Sequence, residues 1–149
     1  MIVVDNSVAT KWVFAEDLTD VALALYTEHL TQRSPIIAPR LLPYEFTNVV
    51  LKRMKRDGML WVEAVEKLEL FHQMKIDLRP DTMDANIRIH RRAIEIAATY
   101  GLSATYDAHY VALAESLGCD LWTADSRLVR ELGHRLPFVR SLESFVPAQ

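Results

Sequence analysis

Leu121-Trp122-Thr123-Ala124-Asp125-Ser126-Arg127-Leu128 is the stretch whose reading decides the fold. A short apolar run ends in an acid, and helix-forming sequence follows at once. The chain opens on the same pattern, Ile2-Val3-Val4-Asp5-Asn6-Ser7-Val8. Short continuous apolar runs bounded by cap residues read as buried strands. An acid at the end of such a strand, just before a helix, lies where open α/β sheets place their ligands.

Working outward, β-type runs alternate with helical periodicity. Strands are expected at residues 2–5, 35–38, 76–78, 120–123 and 137–140. Helices are expected at 8–15, 20–32, 40–57, 61–74, 83–100, 106–117 and 125–132, with Gly58, Gly101 and Gly118 as stops. Strands alternating with helices imply an α/β fold with a parallel sheet covered on both faces. The length of 149 residues suits one domain spanning 1–149. The helices over 40–57 and 61–74 are expected to form a protruding arm.

The composition is that of an ordinary globular protein, half hydrophobic and one quarter charged. No apolar run reaches the ~18 residues of a membrane span, and Met1-Ile2-Val3-Val4 meets Asp5 with no basic flank, unlike a signal peptide. A cytoplasmic location and no membrane partner are therefore expected. The single Cys119 has no partner for an internal disulfide, which suits a reducing compartment, and reads as a small buried residue.

Four acids stand out: Asp5, Glu45, Asp107 and Asp125. Asp5 and Asp125 end strands, although each is also a good helix cap. Asn6, Ser7 and Ser126 stand ready to cap instead, so the acids have no unique local task. Glu45 lies among Leu41, Leu42, Phe46, Val49 and Val50 on a helical stripe, where a carboxylate is at least partly buried. Its structural reading is an ion pair with Arg40 or Lys52. Asp107 opens a helix and shares a face with Val111 and Ala114; helix-dipole placement explains it equally well. Ser7 and Thr123, two residues from Asp5 and Asp125, are candidates to orient carboxylates. In a parallel sheet the strand C-termini share one edge, which brings the acids toward one point. Clustered carboxylates repel one another and call for a hard cation such as Mg²⁺.

The net charge of −3 argues weakly against nucleic acid. Setting the four acids aside turns the sign positive, and the basic residues cluster at Lys52, Arg53, Lys55 and Arg56 and at Arg88, Arg91 and Arg92. These are the candidates for contact with a nucleic-acid backbone. Their structural reading is a solvated helix end before Gly58. The five histidines lack metal-ligand spacing, no glycine-rich phosphate loop follows the first strand, and no nucleophile elbow surrounds a serine. Trp12, Trp61 and Trp122 read as packing residues.

Val3-Val4-Asp5-Asn6-Ser7-Val8, Pro43-Tyr44-Glu45-Phe46-Thr47-Asn48, Thr105-Tyr106-Asp107-Ala108-His109-Tyr110-Val111-Ala112-Leu113-Ala114 and Leu121 through Leu128 together resemble a PIN domain of the VapC toxin type. The last two segments are the most specific. Asn6 departs from the Thr or Ser of many relatives. The resemblance implies a three-layer α/β/α sandwich around a mainly parallel sheet. It implies Mg²⁺- or Mn²⁺-dependent endoribonuclease activity, with Asp5, Glu45, Asp107 and Asp125 as the catalytic and metal-binding set. It further implies RNA as substrate, a cognate antitoxin and a homodimer. The alternative reading is a PIN-like module that binds RNA or protein without catalysis. A dehalogenase-type phosphatase would want an acid at Ser7, and a phospho-receiver a late lysine; the chain has none after Lys75. The helix over 61–74 carries apolar residues on more than one face. Leu70 lies off the stripe of Val62, Val65 and Phe71, so an association surface around Leu60 and Trp61 is expected.

Overall fold

The computed structural model describes residues 1–147. Five strands, β1 (Ile2–Val4), β2 (Ile36–Pro39), β3 (Asp77–Arg79), β4 (Leu121–Thr123) and β5 (Val139–Ser141), form one sheet in the order β3-β2-β1-β4-β5. Every pairing is parallel. The expected α/β architecture is therefore present, and the sheet is wholly rather than mainly parallel. Seven α-helices connect the strands: α1 (Asn6–Lys11), α2 (Thr19–Thr31), α3 (Leu42–Asp57), α4 (Trp61–Gln73), α5 (Met83–Tyr100), α6 (Tyr106–Leu117) and α7 (Ser126–Leu132). A short 3₁₀ turn, Leu142–Ser144, follows β5.

Burial explains why the short strands hold. All residues of β1, β2 and β4 are buried, as befits central strands covered by helices on both faces. The outer strands β3 and β5 carry charged residues, Asp77, Arg79 and Arg140, which suit an edge. The chain reverses at β1 so that β2 lies on one side and β4 on the other. Asp5 therefore follows the central strand at the point where strand order switches, and Asp125 lies beyond its neighbour β4.

Helix α6 is the most deeply buried helix, with Ala108, Tyr110, Val111, Ala112, Leu113 and Ala114 all in the core. Helices α3 and α5 end at Gly58 and Gly101, where φ of +71° favours a residue without Cβ. The expected arm is anchored at its base. Phe46 of α3 stacks on Phe71 of α4 with ring centroids 4.1 Å apart, and both rings are buried with Val50 and Ala64. Only the tip stands out, where Leu60, Trp61 and Val62 are 65%, 73% and 58% exposed. Trp61 is thus a surface residue rather than the packing residue the sequence suggested, while Trp12 and Trp122 are buried. The first helix starts two residues earlier and ends four earlier than expected, because Asp5 itself caps it.

Among the described residues no helix is long and apolar enough to cross a membrane. Cys119 is half-buried rather than buried. Truncating Phe46 removes a fully enclosed ring and its stacking partner's contact. Phe46→Ala is expected to cost about 3–5 kcal/mol in denaturant unfolding, whereas Trp61→Ala at the exposed tip should change stability by no more than about 0.5 kcal/mol.

Candidate functional site

Asp5 is the best-organised side chain at the strand C-terminal edge. It is 5% exposed. Its Oδ1 accepts from Ser7 Oγ at 2.5 Å and from the Val8 amide at 3.1 Å, and its Oδ2 accepts from Thr123 Oγ1 at 2.5 Å. The two hydroxyls are themselves fixed. Ser7 Oγ accepts from the Ala124 amide at 2.8 Å, and Thr123 Oγ1 from the Asp125 amide at 2.9 Å. Ser7 and Thr123 thus hold the carboxylate, and the network ties the β1–α1 corner to the β4–α7 corner. The capping role of Asp5 is real: neither Asn6 nor Ser7 replaces it as cap of α1. The Asn6 Oδ1 atom is buried without a hydrogen-bond partner among the described residues.

Glu45 stands in the first turn of α3, partly buried as the stripe implied. Its partner is neither Arg40 nor Lys52. Arg40 Nε instead donates to the Pro80 carbonyl at 2.8 Å. Tyr110 Oη donates to Glu45 Oε2. Tyr110 is 1% exposed, and a buried phenol needs such an acceptor. Sequence reasoning passed over Tyr110; its signal was an aromatic hydroxyl one turn after Asp107 on the helix that carries it.

Asp107 lies in the first turn of α6, and Arg127 Nη2 approaches its Oδ2 at 3.5 Å. Asp125 caps α7: its Oδ1 accepts from the amides of Arg127 at 2.8 Å and Leu128 at 3.2 Å. Here too the acid, not Ser126, is the cap. Arg127 is the second residue the sequence reading did not single out.

The protonation energetics show which acids share a site. Burial pushes the Asp5 carboxyl up to about 6 against the bonds from Ser7, Thr123 and Val8, and the charge of Asp107 adds to the rise. Burial pushes Glu45 up to about 7 despite the Tyr110 bond, with Asp107 and Asp5 contributing. Asp107 is raised by burial and by Asp125, while Arg127 opposes the rise. Asp5, Glu45 and Asp107 therefore form one electrostatic group, and Asp125 joins it through Asp107. An all-oxygen set of mutually repelling carboxylates is chemically suited to a hard divalent cation. As the side chains lie, no three of them close on a single point among the described residues, so ligation requires side-chain adjustment. His109, two residues after Asp107, is half-buried and engaged in other contacts. Its Nδ1 meets the Thr105 carbonyl at 2.5 Å and its Nε2 meets His90 Nδ1 at 2.8 Å.

The basic candidates divide. Arg53 turns inward to Glu16, its guanidinium 4.3 Å from the Phe14 ring centroid. Arg56 pairs with Asp57 at 2.5 Å, and Arg92 with Glu115 at 2.6 Å and Glu95 at 3.0 Å. Lys52, Lys55, Arg88 and Arg91 are exposed. The basic turn of α3 lies at the opposite end of that helix from Glu45, roughly 10–17 Å along its axis at ~1.5 Å per residue.

The raised carboxyls carry a stability signature in chelator. Between about pH 4.5 and about 7 the folded chain retains a proton on Glu45 that the unfolded chain releases. Stability therefore falls as pH rises through that window, and the penalty is complete above it. Glu45→Gln removes the charge and keeps an oxygen for Tyr110. It is expected to raise the thermal midpoint at about pH 8 and to leave it unchanged at about pH 4. A variant indistinguishable from the parent at both values would show that Glu45 bears no such cost.

Comparison with known proteins agrees with this geometry. No curated relative matches the chain. The structure is similar to the crystal structure of PAE2754 from Pyrobaculum aerophilum, with a TM-score of 0.64 and 24% identity over 95% of this chain and 90% of that one. That likeness shows the fold. The PIN domain family model matches residues 2–132, a span that contains all four acids, Tyr110 and Arg127. By that match, the chain belongs to the PIN domain family.

Proposed function

We propose that this chain is a divalent-metal-dependent endoribonuclease acting as the toxin of a toxin–antitoxin pair in the cytoplasm. The observation that carries the reading is the group of three carboxylates, Asp5, Glu45 and Asp107, gathered at the switch point of a PIN-family sheet, where burial raises all three and the charge of Asp107 adds to the rise of the other two. Family membership supports nuclease chemistry. Such acids would hold Mg²⁺ or Mn²⁺, which when bound activates water and stabilises charge on a phosphoryl group.

The residues around the acids do the positioning. Ser7 and Thr123 fix both oxygens of Asp5, so this ligand is preorganised. Tyr110 restrains one oxygen of Glu45 and leaves the other available. Asp125 commits Oδ1 to the α7 amides and makes no hydrogen bond through Oδ2 among the described residues, which suits a peripheral ligand. Lys52, Lys55, Arg88 and Arg91 are the exposed cations best suited to RNA phosphates beyond the scissile one.

Two apolar surfaces support partners. Leu60, Trp61 and Val62 at the α3–α4 tip suit an amphipathic helix of an antitoxin. Met83, Ile87 and Ile94, 73%, 47% and 62% exposed, share one face of α5 and suit a second copy of the chain.

RNA cleavage by the purified chain should require Mg²⁺ or Mn²⁺ and stop in chelator. Asp107→Asn should slow it at least about a hundredfold with an unchanged circular dichroism spectrum. Undiminished cleavage in excess chelator refutes the metal mechanism; RNA binding with metal but no cleavage favours the non-catalytic module. Replacing Leu60 and Trp61 by polar residues should weaken antitoxin binding, measured by calorimetry, without altering Mn²⁺ affinity. Unaltered antitoxin affinity would place the docking surface elsewhere.

A further inference from the structure

We propose that Arg127 is a substrate-binding residue that grips the RNA phosphate, and that it reaches the phosphate by leaving Asp107, with which it pairs in the structure. The proposal rests on the nuclease reading above.

Among the described residues the Arg127–Asp107 contact is the only ion pair made by any of the four acids. It is a loose one. A single nitrogen, Nη2, meets Oδ2 at 3.5 Å, and the Arg127 side chain is 52% exposed. Arg92 shows what a committed guanidinium does in the same molecule. It uses two nitrogens on Glu115, at 2.6 and 2.9 Å, and a third contact on Glu95. The backbone of Arg127 is nevertheless fixed at the site, because its amide donates to Asp125 Oδ1 at 2.8 Å in the first turn of α7. The side chain is thus a weakly held cation on an anchored stem.

Its partner is the acid on which the other charges converge. Asp107 feels Asp125 and Glu131 as well as Arg127, and it perturbs both Asp5 and Glu45. The guanidinium partly offsets that accumulation of negative charge. A divalent cation ligated by Asp107 would take over the offset and repel the guanidinium. Arg127 and metal therefore oppose each other at Asp107, and linkage makes the opposition reciprocal. A guanidinium released beside ligated carboxylates has the planar fork that matches a phosphate bidentately. A plain surface tie between α6 and α7 would instead stabilise the fold slightly and help Asp107 to hold metal.

The two roles predict opposite signs. Mn²⁺ affinity is measured by calorimetry without RNA for the full chain, Arg127→Ala and Arg127→Lys. RNA cleavage kinetics are then followed across a salt series. If Arg127 moves from Asp107 to phosphate, Arg127→Ala binds Mn²⁺ more tightly, raises KM for RNA at least about tenfold, and reduces the slope of log KM against log salt by about one. Arg127→Lys restores the slope and only part of the KM, because a lysine lacks the fork. Weaker Mn²⁺ binding in Arg127→Ala with unchanged KM and slope overturns the proposal and leaves Arg127 as an orienter of Asp107. If the unsubstituted chain neither binds Mn²⁺ nor cleaves RNA, the nuclease reading falls and the inference with it. If it does both and Arg127→Ala matches it, the inference alone falls.

Discussion

The Asp5 carboxylate, held by Ser7, Thr123 and the Val8 amide, is the interaction on which the rest of the site depends. A buried carboxylate is costly unless its oxygens are occupied, and here three donors from two βα corners occupy them. The hydroxyl donors also accept from the amides of Ala124 and Asp125. The same atoms therefore cap α1, set the turn after β4 and fix the orientation of the central acid. Ser7 and Thr123 each donate one hydrogen and accept another, which only hydroxyl side chains do in so little space. Pairing of β1 with β4, in which Val4 faces Trp122, sets the distance across which that network closes.

Around this fixed acid the fold gathers charge that it does not neutralise. Glu45 arrives on α3 and Asp107 on α6, each from a helix that buries one face or more in the core. The helices are placed by Phe46, Val50, Val111 and Ala114, which are buried regardless of what the acids do. Apolar packing thereby imposes a like-charge cluster that electrostatics alone would disperse. Burial is the largest cause of the rise at all three carboxyls, so desolvation weighs more than repulsion between the acids. A site with that character favours a bound cation and tolerates a nearby guanidinium. It also costs stability when neither is present, a cost that functional sites commonly carry.

Much of this was legible in the chain. Apolar runs ending at Asp5 and Asp125 marked two strands, and glycine stops at 58, 101 and 118 marked three helix ends. The parallel sheet followed from alternation, and partial burial of Glu45 followed from its place on the α3 stripe. Capping and membership of the site are not exclusive roles in this chain. Serines stand beside Asp5 and Asp125 as possible caps, yet each acid caps its helix with one oxygen while remaining part of the acid group. Partners were harder than positions. Periodicity places a residue on a face, but which side chains meet across elements depends on register and helix placement. The union of Tyr110 with Glu45 joins positions 65 residues apart, and the turn of Arg53 onto Glu16 joins positions 37 apart.

The same distinction separates the two basic groups from Arg127. A run such as Lys52 to Arg56 draws the eye because it is contiguous, yet a helix distributes neighbouring residues around its axis. Arg53 consequently points into the Phe14–Glu16 contact while Lys52 and Lys55 face outward. Arg127 is solitary in sequence and carries no such signal. It gains its place because Asp125 fixes the first turn of α7 beside the start of α6. Charge at a site of this kind is better traced from the element that anchors the stem than from the density of basic residues along the chain.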